Sequence, residues 1–458
     1  MKTVLVMLLS LPLFISCAER PIEAKISESP QTFCNPLNLS YRFMKGERGI
    51  REAADPVVVE YKGKYYLFAS KSSGYWHTED FQNWTHVFIP ESVLPIEDYS
   101  PANFVHDGYI YYVGSTMGKG TLYRSNNPDR GEWEQVKNIG TFWDPTFYVE
   151  GDNLYMYHGC PFTVGDNYWK AATNSISIQH PFERRLSFYP AGIDADGYMF
   201  TDTYLGDYPM FLPSNGKKDS RPDWMLLSCN KPVSVYSEQY SFPKENAVDE
   251  NSRTSWVAST NTDDEWISID LLEPSFIHAI QVNFGEEGSA HQGYTEGVYQ
   301  SYILSASHDG KKWYTIVDKS NKRTDTPHDY IEFEKPFKAR YIRLENKGFT
   351  VSLYFSLRDL RVFGKGIGKK PAAMEDFTVQ RNPDDACKAT LTWDAVEGAE
   401  GYIVRYGIKE DKLYNNFRVW DKTTLDINSL NSGVSYYFTI DTYSSSGVTP
   451  GRKVVKCL

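Results

Sequence analysis

At 458 residues the chain has room for about three domains. Aromatic residues make up 15% of it, including 33 tyrosines and 11 tryptophans, enough to fill large cores and to line sugar-stacking surfaces. A formal net charge of −11 argues against a general nucleic-acid binder, which would carry a basic face, and suits an exported protein acting on neutral or weakly charged ligands.

The N-terminus reads as a targeting segment. Lys2 precedes an apolar run from Val4 to Ile15, short for a membrane span and right for a signal-peptide core. Its end, Phe14-Ile15-Ser16-Cys17, resembles a bacterial lipoprotein box. That resemblance implies lipidation at Cys17, a signal peptide over 1–17 and a cell-surface or outer-membrane lipoprotein, the membrane being reached by the lipid anchor alone. An ordinary secretory signal that contains a cysteine is the other reading. Residues 18–34 are polar and are expected to form a flexible tether. The remaining cysteines (34, 160, 229, 387, 457) are scattered, odd in number and never in a C-x-x-C pair, so neither a zinc site nor a disulfide framework is expected.

Beyond the tether, helix-period patterns are rare. Alternating Val, Ile, Tyr and Phe runs broken by Gly, Pro, Asn and Asp predict an all-β chain. Three units repeat a proline-started apolar stretch, a glycine-marked turn and an aromatic run. They begin at Asp55-Pro56, Ser100-Pro101 and Asp144-Pro145, with turns at Gly63, Gly108 and Gly151. The turn spacings of 45 and 43 residues predict the blades of a β-propeller. The next turn, at Gly165, comes only 14 residues after Gly151. The repeat region, 35–213, holds 179 residues, whereas five blades of about 40–45 residues need more than 200. An incomplete five-bladed-type propeller is therefore expected.

This region resembles glycoside hydrolase family 43. The residues that carry the resemblance are Arg51-Glu52-Ala53-Ala54-Asp55-Pro56, Gly74-Tyr75-Trp76 leading to Asp80-Phe81-Gln82-Asn83-Trp84, Asp144-Pro145-Thr146-Phe147, and Phe182-Glu183-Arg184-Arg185-Leu186. The resemblance implies inverting hydrolysis of arabinose-, xylose- or galactose-containing polysaccharide. Asp55 would be the general base and Asp144 the group that tunes the acid's pKa. An inverting pair stands roughly 6.5–9.5 Å apart to admit water. The general acid, expected as glutamate in a Glu-Gly-Pro setting, has no counterpart here. The nearest glutamates are Glu150, at a turn tip, and Glu183, whose following arginines favour an ion-pair role. His158 is read as the end of a blade strand or, less favoured, as a channel histidine near a metal. A non-catalytic carbohydrate-binding protein is the alternative to an enzyme.

Polar stretches at 214–222 and 366–371 mark module boundaries. The module between them, 222–366, resembles a discoidin (coagulation factor 5/8 type C) domain, a jelly-roll sandwich. The matching strings are Asn246-Ala247-Val248-Asp249-Glu250-Asn251 leading to Thr254-Ser255-Trp256, Trp266-Ile267-Ser268-Ile269-Asp270-Leu271, Ser305-Ala306-Ser307-His308-Asp309-Gly310 and Ala339-Arg340-Tyr341-Ile342-Arg343-Leu344. Relatives include carbohydrate-binding modules, many holding calcium. Asp249, Asn251 and Thr254 supply oxygens over a tight loop, as a hard cation needs, and Asp359 stands where a closing carboxylate is often found. A hydrogen-bonded loop without metal is the other reading. The last module, 371–458, resembles a fibronectin type III domain, an immunoglobulin-like sandwich, through Trp393, Tyr402-Ile403-Val404-Arg405-Tyr406, and Leu430, Gly433 and Tyr436 as a tyrosine corner.

Overall fold

The computed structural model describes residues 20–457 except 47–48, 98, 116–119, 141–143, 151–152, 158–161, 165–166, 176–182, 216–220 and 421. Cys17, His158, Cys160 and the turn glycines 151 and 165 lie outside the described residues.

The first repeat folds into a four-stranded antiparallel meander of Ala54–Tyr61, Lys64–Ser70, Gly74–Thr78 and Thr85–Phe88. The second does the same with Tyr99–His106, Tyr109–Ser115, Gly120–Asn127 and Glu132–Gly140. Their first hairpins close at Lys62-Gly63 (φ 52° and 78°) and Asp107-Gly108 (φ 47° and 74°). Both central residues are left-handed, as a two-residue type I′ turn requires. Each first strand also carries a register shift at the proline that opens the repeat, between Ala54 and Val57 and between Tyr99 and Ala102. Proline has no N–H to give to the ladder, so it sits where pairing is already broken.

The third repeat keeps two described strands, Thr146–Glu150 and Asn153–Tyr157. A fourth sheet of Phe162–Val164, Asn167–Ser175, Arg184–Ile193 and Met199–Thr201 follows at once. The shortage predicted by the early Gly165 turn therefore falls on the third unit, while the fourth has its four strands. Ala54–Tyr61 packs beside Tyr99–His106 on one side and Asn167–Ser175 on the other, so the last sheet neighbours the first. Leu67, Trp76, Phe81, Leu186 and Phe188 fill the core between these two sheets.

The second module is a sandwich built on the long strands Trp266–Phe284 and His328–Phe349, flanked by Gln300–Ser307, Tyr314–Asp318 and Ser356–Gly366. Inward alternation buries Ile267, Ile269, Ile280, Val282, Ile342, Leu344, Leu360 and Val362 completely. The third module splits its strands between two sheets. Phe377–Arg381, Ala389–Trp393 and Thr424–Ile427 form one, and Asn415–Trp420, Gly401–Gly407 and Tyr436–Ser444, with two short C-terminal strands, form the other. The Tyr436 hydroxyl accepts the Asn431 N–H at 3.2 Å, which makes the corner expected there. Cys387 is an exposed free thiol.

Two expectations need correction. From Arg20 onward the stretch expected as a tether is built into the fold. Ile22 joins the core of the second module, Ile26 bridges Phe333, and Thr32–Phe33 pair with Met210–Phe211. The backbone N–H groups of Gln31 and Thr32 donate to Glu332 at 3.0 and 2.9 Å. The 328–337 half of its strand pairs on one flank with 277–283. Ile22, Ala24 and Ile26 alternate as a strand does, and this segment covers the other flank.

The modules are also not beads on linkers. Asp207, at the end of the repeat region, pairs with Arg361 of the second module (3.1 Å) and Arg418 of the third (2.7 Å). Tyr208, Leu226, Ala279, Phe363, Ile403 and Tyr443 form one apolar cluster across all three.

Candidate functional site

Asp55, Ser100 and Asp144 occupy the same position in successive repeats, each before its proline, with φ of 52°, 45° and 47°. A non-glycine residue held there costs roughly 1–3 kcal/mol, and such strain gathers at sites where the surroundings fix the backbone for a purpose. Around Asp55 the fixing bonds are visible. Its N–H donates to Thr173 Oγ1 of the fourth sheet at 3.0 Å, and its carboxylate accepts the Ser70 hydroxyl at 2.8 Å. Ser70 Oγ in turn accepts the Ser100 N–H at 2.8 Å. One hydrogen-bonded chain thus ties the fourth, first and second sheets together at the end where Asp55 stands. Asp55 is half-buried and Asp144 exposed, with Ser100 between them in the order of the sheets.

Glu183 is buried, and its carboxylate meets Arg358 of the second module at 2.6 Å. The ion-pair reading holds, though the guanidinium comes from another module rather than from the arginines that follow it in sequence. A carboxylate held this way stays ionised and has no proton to lend. Glu150 ends its strand opposite Asn153, at the hairpin tip as expected.

The interface behind Glu183 is a buried charge cluster. Glu286 receives Arg185 at 3.2 Å, Arg51 at 3.3 Å and Arg358 at 3.1 Å, and Arg51 also pairs with Asp325. The three guanidinium groups hold the Glu286 carboxyl below the usual carboxylate range against the opposing effect of its burial. Arg185 Nε donates to His328 Nε2 at 2.9 Å, and His328 Nδ1 lies 2.9 Å from Asn283 Oδ1. Arginine only donates, so Nε2 carries no proton and Nδ1 does. Burial, reinforced by the nearby arginines, pushes the His328 pKa well below its ordinary value.

In the 249–254 loop the candidate metal donors bond to one another. Asp249 accepts the Asn251 N–H at 2.9 Å and the Thr254 hydroxyl at 2.8 Å, and Thr254 Oγ1 also lies 2.8 Å from the Asn251 carbonyl oxygen. The Asn251 side-chain oxygen takes the Arg253 N–H at 3.2 Å. Among the described residues no three His, Cys, Asp or Glu side chains converge as a metal site. The donor set thus fits the hydrogen-bonded loop and does not fit a preformed cation site. Asp359 is only 5% exposed, and its Oδ1 has no hydrogen-bond partner. Burial, with Glu250 next to it, pushes its pKa well up.

The sequence gave no warning of one surface feature. Tyr240 is fully exposed at the tip of the tight turn bridged by Gln239 and Phe242, and Leu353 is 77% and Tyr354 39% exposed. Val257 N–H donates to Phe242 O, and Phe355 N–H to Thr260 O, which brings both loops to one end of the sandwich. Read in the sequence, these rings look like any others; only the fold leaves them bare.

Residues 230–358 match the F5/8 type C domain, so the second module is of this class, inside the 222–366 span expected for it. Among individual proteins, neuropilin-1a of Danio rerio is 28% identical over 146 residues, which is 30% of this chain and 15% of that protein. The chain thus spans a small part of this curated relative. Among solved structures, chitosan-binding module 1 of a chitosanase/glucanase from Paenibacillus sp. IK-5 is 23% identical, covering 31% of this chain and 99% of the module, with a TM-score of 0.26. A family 32 carbohydrate-binding module from C. perfringens NanJ, in complex with galactose, is 17% identical over 31% of this chain and 98% of its own, with a TM-score of 0.26. A structure titled "Glycoside hydrolase" covers 71% of this chain and 99% of its own at 13% identity, with a TM-score of 0.37.

Proposed function

We propose that this chain is a carbohydrate-binding protein built on a family 43-type glycosidase scaffold and presented at the cell surface by a lipid on Cys17. The observation that carries the binding reading over the catalytic one is Glu183. This glutamate of the repeat region is fixed as an ion against Arg358, and inversion needs a protonated acid facing the base across a water. The exposed Tyr240 and Tyr354, set at one end of the F5/8 type C module, supply rings on which a sugar face can stack. The last module, read as fibronectin type III-like, serves as a spacer. Isothermal titration of the full chain with soluble arabinan, xylan and galactan tests the proposal. Binding that the double substitution Tyr240→Ala/Tyr354→Ala weakens about tenfold or more supports it, since each aromatic stack contributes on the order of 1 kcal/mol. No binding to any of the three would refute it.

The strained backbone shared by Asp55 and Asp144 favours a second reading, a weak glycosidase. General-acid assistance is worth roughly 10²–10⁴-fold, and natural glycosides depend on it most. Activity is then expected only on activated aryl glycosides, and Asp55→Asn should abolish it.

A further inference from the structure

A cleft of about 400 Å³ lies between the fourth sheet and the second module. That volume falls in the range of small-molecule sites. Its lining is polar on both sides and has no Phe, Tyr or Trp among the described residues.

The charged groups in its walls are largely matched to one another. Arg361 pairs with Glu250 at 2.9 Å and Asp207 at 3.1 Å, and Arg358 with Glu183 and Glu286. An added anion would meet guanidinium groups already neutralised, and an added cation would meet the exposed Arg253 at the rim. What the walls leave open is hydrogen-bonding capacity. Thr173 Oγ1 accepts the Asp55 N–H and keeps its own proton to donate. Asp359 Oδ1 is buried and unpartnered. A buried polar oxygen left so costs about 1–3 kcal/mol, which a ligand group supplying the missing bond would recover.

We infer that this cleft binds a neutral, polyhydroxylated ligand the size of a mono- or disaccharide through Thr173, Asp359 and Arg253. A hydroxyl group both donates and accepts, and so complements a threonine hydroxyl, a carboxyl oxygen and a guanidinium together. The lack of aromatic rings makes recognition depend on hydrogen bonds rather than stacking, which separates this site from the Tyr240 end of the module. Burial next to Glu250 and Asp249 raises the Asp359 pKa and favours its neutral form, in keeping with a neutral ligand. Because Thr173 also holds the Asp55 backbone, a ligand here sits directly behind the strained turn that opens the first repeat.

The inference rests on the carbohydrate reading, and its test separates the two. D-galactose, D-xylose and L-arabinose are titrated into the full chain by ligand-observed NMR. Thr173→Val is expected to weaken binding about fivefold or more and Asp359→Leu more than tenfold, whereas Asp359→Asn, a neutral isostere, should stay within about threefold. Tyr240→Ala/Tyr354→Ala should leave this binding unchanged, and Thr173→Ser should restore what Thr173→Val loses. Binding lost only in the tyrosine variant overturns the cleft and leaves the carbohydrate reading standing. No monosaccharide bound by the unaltered chain, with polysaccharide still bound, overturns the cleft; neither bound overturns both. Equal loss in Asp359→Asn and Asp359→Leu, together with loss on adding EDTA to the unaltered chain, assigns the oxygen to a cation and overturns the proposal too.

Discussion

His328 should make the contact between the repeat region and the second module sensitive to mild acid. Its Nε2 must stay bare to accept from Arg185, and the groups around it are Arg51, Arg185 and Arg358 against Glu286, with the Tyr41 ring edge-on at 6.1 Å. A proton added there would join three guanidinium groups in a buried site and break an existing bond. The folded-state pKa is depressed, so below the ordinary histidine value of about 6.5 the unfolded chain takes a proton that the fold refuses. Stability is therefore complete above that value and falls as pH drops, by about 1.4 kcal/mol per pH unit for one such group. Between pH 6.5 and 5.0 that amounts to about 2 kcal/mol. His86, depressed to about 4 by burial, adds a parallel loss over the same range. Carboxylates such as Glu286 and Asp329, held low by their cations, contribute their losses only at lower pH. The informative variant is His328→Gln, whose amide can accept from Arg185 and donate to Asn283 without titrating. Melting temperatures at pH 7, 6 and 5 should converge as pH falls, the variant losing roughly 2–4 °C less than the unaltered chain by pH 5. Parallel curves would refute the assignment of the proton.

Three further outcomes are expected. Cys17→Ser should move the protein from the membrane fraction to the soluble fraction and remove a diacylglyceryl adduct from its mass spectrum. Calcium at 1 mM, or EDTA, should shift the melting temperature by less than about 1 °C, because the 249–254 loop closes on its own bonds; occupancy at about 100 times Kd would instead add about 2.7 kcal/mol. Arg418→Ala should cost about 1–3 kcal/mol by removing a charged partner of Asp207 and should speed proteolytic cutting between residues 366 and 371, read by mass spectrometry.

The sequence made the repeats legible because each is written in strongly constrained residues. Prolines at 56 and 101 fall on ladder breaks, and glycines at 63 and 108 close type I′ turns. The F5/8 type C module was legible for a similar reason: its core strands alternate cleanly, and its turn strings are distinctive. What stayed hidden depended on residues far apart in the chain. Glu183 could be seen to want a cation, yet the guanidinium it found is Arg358, 175 residues away. The stretch from Arg20 to Cys34 looks like a tether because its polar residues outnumber Ile22, Ala24 and Ile26, and nothing local reveals that residues 332–334 await it. Asp249, Asn251 and Thr254 carry the right oxygens for a cation, but composition cannot say whether those oxygens will turn to a metal or to one another.

The bonds from Asp207 to Arg361 and Arg418 have a consequence for how the molecule would meet a polymer. Two sites joined by a slack linker sample a range of separations, and binding at one merely raises the local concentration at the other. Here the repeat region and the second module are joined by buried ion pairs and a shared apolar cluster rather than by slack chain. The tyrosine-bearing end of the second module and the Asp55 turn are then held at one separation. A glycan touching both would be measured against a fixed ruler, so selection would act on chain length and branch spacing as well as on the identity of any single sugar.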